Sequence, residues 1–167
     1  PGLNTIAINE FMDIKKCYDY AINQEFPTLI IENKSLYNKK NIPIYDSTFL
    51  DQYECFIEFK DENMHHVYFD RSQETDVVII TYGGMTEITI EAALKLILEF
   101  EIFSEIFILS DLKEPLAKSI IDTVKKTNVL ATIEEGPSIL PIGNHFLAQI
   151  FKNDKIEILY IPITGAD

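Results

Sequence analysis

Residues 77–100 read VVIITYGGMTEITIEAALKLILEF, and no other stretch narrows the choice of fold as far. The run from Val77 to Thr81 is β-branched throughout, as expected of a strand buried on both faces. Gly83 and Gly84 follow. Beyond them Ile90, Ala93, Leu94 and Ile97 recur at helical spacing, with Glu87, Glu91, Lys95 and Glu99 on the opposite side, where Glu91 and Lys95 are oriented for an ion pair. A strand covered on both sides, followed by an amphipathic helix, implies helices on both faces of a mostly parallel sheet.

The downstream sequence keeps that rhythm. EIFILS reads as a second strand, and Pro115 sits where a first helical turn accepts it. Leu116, Ile120, Ile121 and Val124 form the inward stripe of that helix. VLATIEEG is a third strand, GNHFLAQIFK a short helix and KIEILYIPI a last strand. Upstream, TIAI is a short strand. Residues 11–24 carry Phe11, Ile14, Cys17, Tyr18, Ala21 and Ile22 at helical spacing, with Asn9 as N-cap. Pro27 stops this helix, and TLIIEN follows as a buried strand. A strand–helix–strand of this size cannot bury its own faces, so it reads as the last crossover of a larger domain. Between the two segments the periodicity fades, although CFIEFKDENMHHVYFD alternates around a polar turn in the manner of a hairpin. The expected division is 1–40, a linker over 41–74 with that hairpin, and 75–167.

Charge narrows the partners. With 27 acidic against 14 basic residues the net charge is −13, which repels nucleic acid and anionic membrane surfaces and suits a basic protein partner. Cys17 and Cys55 match no zinc or redox spacing and read as reduced thiols of a cytoplasmic protein. No apolar run approaches the ~20 residues of a membrane span. The opening PGLNTIAIN lacks the features of a signal peptide, and both ends read as cuts through a longer protein.

Residues that could carry chemistry are scattered. Gly83, Gly84 and Thr86 form a strand-to-helix corner whose amides could attract an anion, but the corner lacks the spacing of a dinucleotide or P-loop motif. Glycine is also what any tight strand-to-helix turn uses, and that structural reading is the favoured one. His65 and His66 are adjacent, so a strand would send them to opposite faces, against a shared metal. Glu134 and Glu135 close a strand at its carboxyl end, where α/β proteins place ligands, with no base or cation near in sequence. Asp111 ends another strand and is expected to start a turn or cap a helix. Gly143 opens a helix, and His145 there reads as a surface or capping residue. No nucleophile signature appears.

PGLNTIAI, YAINQEFPTLIIENKSLY, VVIITYGGM, IEAAL, TVKKTNVLATIEEGP and YIPITGAD occur in an order that resembles beta subunits of thiamine-diphosphate-dependent 2-oxo-acid dehydrogenases. The resemblance spans most of the chain except the stretch around 37–74. It implies that 1–40 is the tail of a pyrimidine-binding domain. It also implies that the rest is a transketolase-type C-terminal domain, a three-layer α/β/α unit around a five-stranded mixed sheet with one antiparallel strand. Transketolase and deoxyxylulose-phosphate synthase carry related domains and are the alternative parents, and a stand-alone interaction or anion-binding module of the same fold is the other alternative. The intact parent would use thiamine diphosphate and magnesium, with its activating glutamate and catalytic histidine upstream of this chain. This part would carry no catalytic, cofactor or metal residue. Its implied partners are an alpha subunit or domain, a second beta subunit and the basic binding domain of an acyltransferase core. Departures occur at Asn144 and His145 after Gly143, and at Lys113 after Asp111 and Leu112. Gln24 and Phe26 stand where some members hold a monovalent cation, so none is expected here.

Overall fold

The structure is a computed structural model that describes residues 3–38, 48–50, 53–61, 64–70, 72–113, 115–139, 141–152 and 156–165. In chain order its elements are β1 (Asn4–Ala7), α1 (Ile14–Ile22), β2 (Thr28–Ile31), β3 (Thr48–Leu50), β4 (Tyr53–Asp61), β5 (Met64–Tyr68), β6 (Val77–Tyr82), α2 (Thr86–Phe100), β7 (Ser104–Leu109), α3 (Lys118–Thr127), β8 (Val129–Ile133), α4 (Gly143–Phe151) and β9 (Leu159–Ile163). Short 3-10 turns occupy Lys34–Leu36 and Gly83–Met85.

β7, β6, β8 and β9 lie side by side and parallel, and β5 joins β7 antiparallel. That is the expected five-stranded mixed sheet. The hairpin of β4 and β5, with β3 beyond it, lengthens the sheet to seven strands in the order β3-β4-β5-β7-β6-β8-β9. The alternation around the polar turn is therefore part of the sheet. Residues 41–47 of the expected linker lie outside the described residues.

Each face of the sheet has its own core. Ile79, Ile106, Ile108 and Ile133 meet Ile90, Ala93, Leu94 and Ile97 of α2 on one face. Val78, Ile80, Phe107 and Leu130 meet Ile120 and Val124 of α3 and Phe146 and Ile150 of α4 on the other. The β-branched run of β6 thus contributes to both, which is why it carries no polar alternation. The acidic side of α2 is exposed as expected, but Glu91 and Lys95 do not close to an ion pair.

β1 and β2 form a separate two-stranded parallel sheet backed by α1, around a small core of Ile6, Ile8 and Cys17. The sequence reading is corrected at three places. α1 starts at Ile14, because Asp13 caps it by accepting from the Lys16 N–H at 3.2 Å. Asn9 instead accepts from the Phe11 N–H at 3.0 Å, which sends the Phe11 ring into the core below α2. β2 is not buried: Leu29 and Ile31 face outward. Pro115 precedes the first turn of α3, whose N-cap is Ala117.

β1 docks the small sheet on the large one. Its free edge bonds the segment after β7, Ala7 N–H to the Ser110 carbonyl at 2.8 Å and Leu112 N–H to the Thr5 carbonyl at 2.9 Å. The β1–β2 unit therefore lies against the carboxyl end of the large sheet.

Candidate functional site

In an open α/β sheet, ligands bind where adjacent strands send their connections to opposite faces. Here that point lies between β6 and β8. β6 leads to α2 on one face, while β8 leads to α4 on the other. The residues at their carboxyl ends are Tyr82, Gly83 and Glu134.

The Glu134 carboxylate fills this place. The residue is 3% exposed. Its two oxygens accept from the backbone N–H of Ile142 at 2.9 Å and of Gly143 at 3.0 Å, and Tyr82 donates its hydroxyl to it at 3.2 Å. These amides open α4 and have no partner within the helix, so a carboxylate satisfies both their hydrogen bonding and the positive end of the helix dipole. Burial first, and then the Glu134 charge, push the Tyr82 hydroxyl well above its ordinary titration range, so it stays a donor. Gly143 is dictated by crowding: a Cβ there would overlap the Thr132 hydroxyl and the Tyr160 hydroxyl, which share a hydrogen bond of 3.0 Å.

The glycine corner is closed from the other side. Gly83 holds φ 59°, a left-handed conformation that favours glycine, with the backbone of Ile8 beneath it. Thr86 is buried and donates to the Gly83 carbonyl at 2.9 Å, locking the turn into α2. Gly84 lies under the side chain of Asn33, which a Cβ would strike. Asn33 in turn donates its amide to Glu135 and accepts from the Ser35 N–H at 2.8 Å. One residue just past β2 thus covers the corner and ties it to the end of β8.

The remaining candidates lie apart from this cluster. Asp111 accepts from the Lys113 N–H at 2.9 Å and bridges Ile6, so it starts a turn and helps dock β1. Lys113 donates to the Asn4 side chain at 2.8 Å. His145 is exposed on α4, beside Phe146. His65 and His66 point to opposite faces, His65 toward Phe11 and His66 flat on Phe107.

The chemistry of this donor set is specific. Two amides and a hydroxyl already serve a carboxylate, and the corner beside them is covered by Asn33. A diphosphate at the α4 amides would meet the negative charge of Glu134, so these residues do not fit such a group. Among the described residues no group of three or more His, Cys, Asp or Glu could hold a metal ion. Sequence reasoning missed Tyr82, Asn33, Thr132 and Tyr160, because each acts across a long separation that no local spacing reveals. Glu134 was visible, but its partner amides were not.

Comparison with known proteins adds the family. The profile described as "Transketolase, C-terminal domain" matches residues 66–167. Pyruvate dehydrogenase E1 component subunit beta, mitochondrial, of Saccharomyces cerevisiae is 27% identical over 170 residues, covering 100% of this chain and 44% of the relative. The same subunit of Caenorhabditis elegans is 27% identical, covering 100% and 46%. The Rickettsia bellii pyruvate dehydrogenase E1 component subunit beta is 28% identical, covering 98% and 46%. The chain thus spans a little under half the length of these curated relatives. A solved structure described as a split gene transketolase, inactive beta4 tetramer, shares the fold with a TM-score of 0.62 at 17% identity, over 100% of this chain and 50% of that one.

Proposed function

The chain belongs to the transketolase C-terminal domain family, and from that premise we propose that it is the assembly half of a 2-oxo-acid dehydrogenase beta subunit. In this reading it carries no thiamine chemistry of its own. It completes and joins subunits of an enzyme whose reacting groups lie on other polypeptide. The intact enzyme would bind thiamine diphosphate and magnesium, decarboxylate a 2-oxo acid and pass the acyl group to a lipoyl arm.

The observation that carries this reading is the open edge of β2. In the parallel ladder with β1, the Asn4 N–H bonds the Pro27 carbonyl and the Ile8 N–H bonds the Ile31 carbonyl, each at 3.0 Å. The alternating geometry turns the N–H and C=O of Thr28 and Ile30 the other way. Among the described residues no strand pairs with that edge. Leu29 and Ile31 are exposed on the same strand, and Ile22 and Phe26 lie exposed just before it. Two strands and a helix with this much uncovered apolar surface are marginal alone. A strand and a packing layer from the rest of a pyrimidine-binding domain would supply what is missing. The filled place at Glu134 supports the same reading, since it leaves the carboxyl edge of the large sheet occupied by the chain itself.

Partners follow as part of the proposal: an alpha subunit or domain, a second beta subunit, and a basic binding domain of an acyltransferase core that the net charge of −13 would attract. Two buried cysteines that form no disulfide fit a reducing compartment, which we take as the cytoplasm. Among the described residues no helix is long and apolar enough to cross a membrane.

Calorimetry tests the chemical half of the proposal. Thiamine diphosphate with magnesium, titrated into this chain, is expected to give no binding heat at micromolar concentrations. The chain is also expected to co-purify with beta-subunit N-terminal sequence and the alpha subunit of its own organism. Micromolar cofactor affinity for residues 1–167 alone would overturn the reading.

A further inference from the structure

β9 is the last strand of the large sheet on the side away from the hairpin. Leu159, Ile161 and Ile163 alternate along it and are 61%, 41% and 47% exposed. They pair with Val129, Ala131 and Ile133 of β8, so they lie on the α2 face of the sheet. Tyr160, between them, turns to the other face and packs with the core under α3 and α4. α2 itself packs over β6 and β7. Among the described residues no helix covers β9 on the α2 side. Ala92, Leu96 and Phe100 recur every four residues along one flank of α2, with Phe100 exposed and the other two half-buried. The right-handed crossover from β6 through α2 to β7 sets that flank toward β8 and β9. The flank is the wall, and the face of β9 the floor, of an apolar trough about 17 Å long, which is roughly three turns of a helix.

Hydrogen bonding decides against a strand as the occupant. The Leu159 N–H bonds the Asn128 carbonyl at 2.9 Å, and the Ile163 carbonyl accepts from the Glu134 N–H at 3.0 Å. The parallel ladder therefore turns the backbone of Tyr160 and Pro162 outward. Pro162 has no N–H to offer there, so an added strand would lose a bond in the middle of the edge. Charge decides against a second copy of this chain. The outward side of α2 carries Glu91, Lys95 and Glu99, which would be pressed onto Leu159 and Ile161 if one α2 filled the trough of another. Laying one β9 face on another would bury the outward carbonyls of Tyr160 and Pro162 against an apolar wall. The end of the trough at Phe100 and Leu159 is bordered by exposed Glu99, Glu101 and Glu157.

We propose that this trough is a docking site for an amphipathic helix with basic flanks, carried by a second polypeptide. Its apolar stripe would lie on Leu159, Ile161 and Ile163 and against Leu96 and Phe100, as in other helix-in-groove contacts. Its Lys or Arg side chains would meet Glu99, Glu101 and Glu157 at the rim, where such charges set the choice of partner. The helix would supply the layer that β8 and β9 lack beside α2. The site is separate from the β2 edge, on which the assembly reading rests, and it holds whether or not that reading does.

A synthetic peptide of about 18 residues, made of Leu and Lys with the Leu on one helical face, is the probe. Fluorescence anisotropy of the labelled peptide with the full chain is expected to show saturable one-to-one binding. The same peptide with Glu in place of Lys should bind about tenfold more weakly or worse. Ile161→Asn and Leu159→Asn change exposed positions and leave the fold intact, and each should weaken the Leu/Lys peptide by about tenfold. Leu29→Asn, on the apolar surface of β2, should leave its affinity unchanged. Methyl NMR is expected to show the peptide shifting Leu159, Ile161 and Ile163 and sparing Leu29. Equal binding of the Lys and Glu peptides overturns the proposal. So does binding that survives both β9 variants, or β9 methyls that do not move. Sedimentation should show a monomer, and a dimer that Ile161→Asn disperses would mean that a second copy covers the trough instead.

Discussion

β6–α2–β7 and β1–α1–β2 are both parallel strand–helix–strand units, yet they end in opposite states. β6 has parallel neighbours on both sides and sits between two cores. Among the described residues β2 has one neighbour, one small core behind it and an outer edge with no strand paired to it. The strands themselves differ little: VVII and TLII are both runs of aliphatic and β-branched residues. The burial of a strand is therefore decided by what its sheet supplies around it, not by its own residues. A finished sheet hides such a run on both faces, whereas an unfinished one displays it.

The largest expected effect tests the finished side. Ile80 is 1% exposed, and Ile80→Ala should lower the unfolding free energy by about 2–5 kcal/mol, seen as a lower urea midpoint. Next comes Glu134→Ala, which leaves two buried amides and the Tyr82 hydroxyl without their acceptor. It should cost about 1–3 kcal/mol in the same assay. If Glu134→Ala unfolds at the wild-type midpoint, the carboxyl edge is not closed in the way described. Asn33→Ala removes the tie between the two units and should cost about 1 kcal/mol, with amide exchange speeding up in β1 and β2 but not in β8. The smallest effect is expected at Leu29, 48% exposed on β2: Leu29→Ala should shift stability by less than about 0.5 kcal/mol. The same change should weaken co-purification with beta-subunit N-terminal sequence. A loss at Leu29 as large as that at Ile80 would erase the distinction between the two regions.

Much of the large sheet was legible because its signals are local. The β-branched run of β6, the inward stripe of α2 and the opposed directions of His65 and His66 each follow from a period of 2 or 3.6. The hairpin was visible as alternation, but its pairing with β7 was not, since register between distant segments leaves no trace in either one. The start of α1 was misplaced for a different reason. Asn9 is a good cap by residue type, but its side chain accepts from the N–H of the buried Phe11, and Asp13 caps the helix instead. TLII looked buried because its composition suits a core, while its surroundings are what leave it exposed. The carboxyl edge was half legible. Glu134, Gly83 and Gly143 stood out by position, but Tyr82, Asn33, Thr132 and Tyr160 meet them only through the fold.

The central claim is that β2 awaits another strand. The amide exchange of Thr28 and Ile30 tests it most directly, first in the chain alone and then in the chain co-expressed with beta-subunit N-terminal sequence from its own organism. The account predicts fast exchange at both amides alone and strong protection in the complex, while Ile79 and Ile80 stay protected throughout. Protection of Thr28 and Ile30 in the isolated monomer, or unchanged fast exchange in a stable complex, would contradict it.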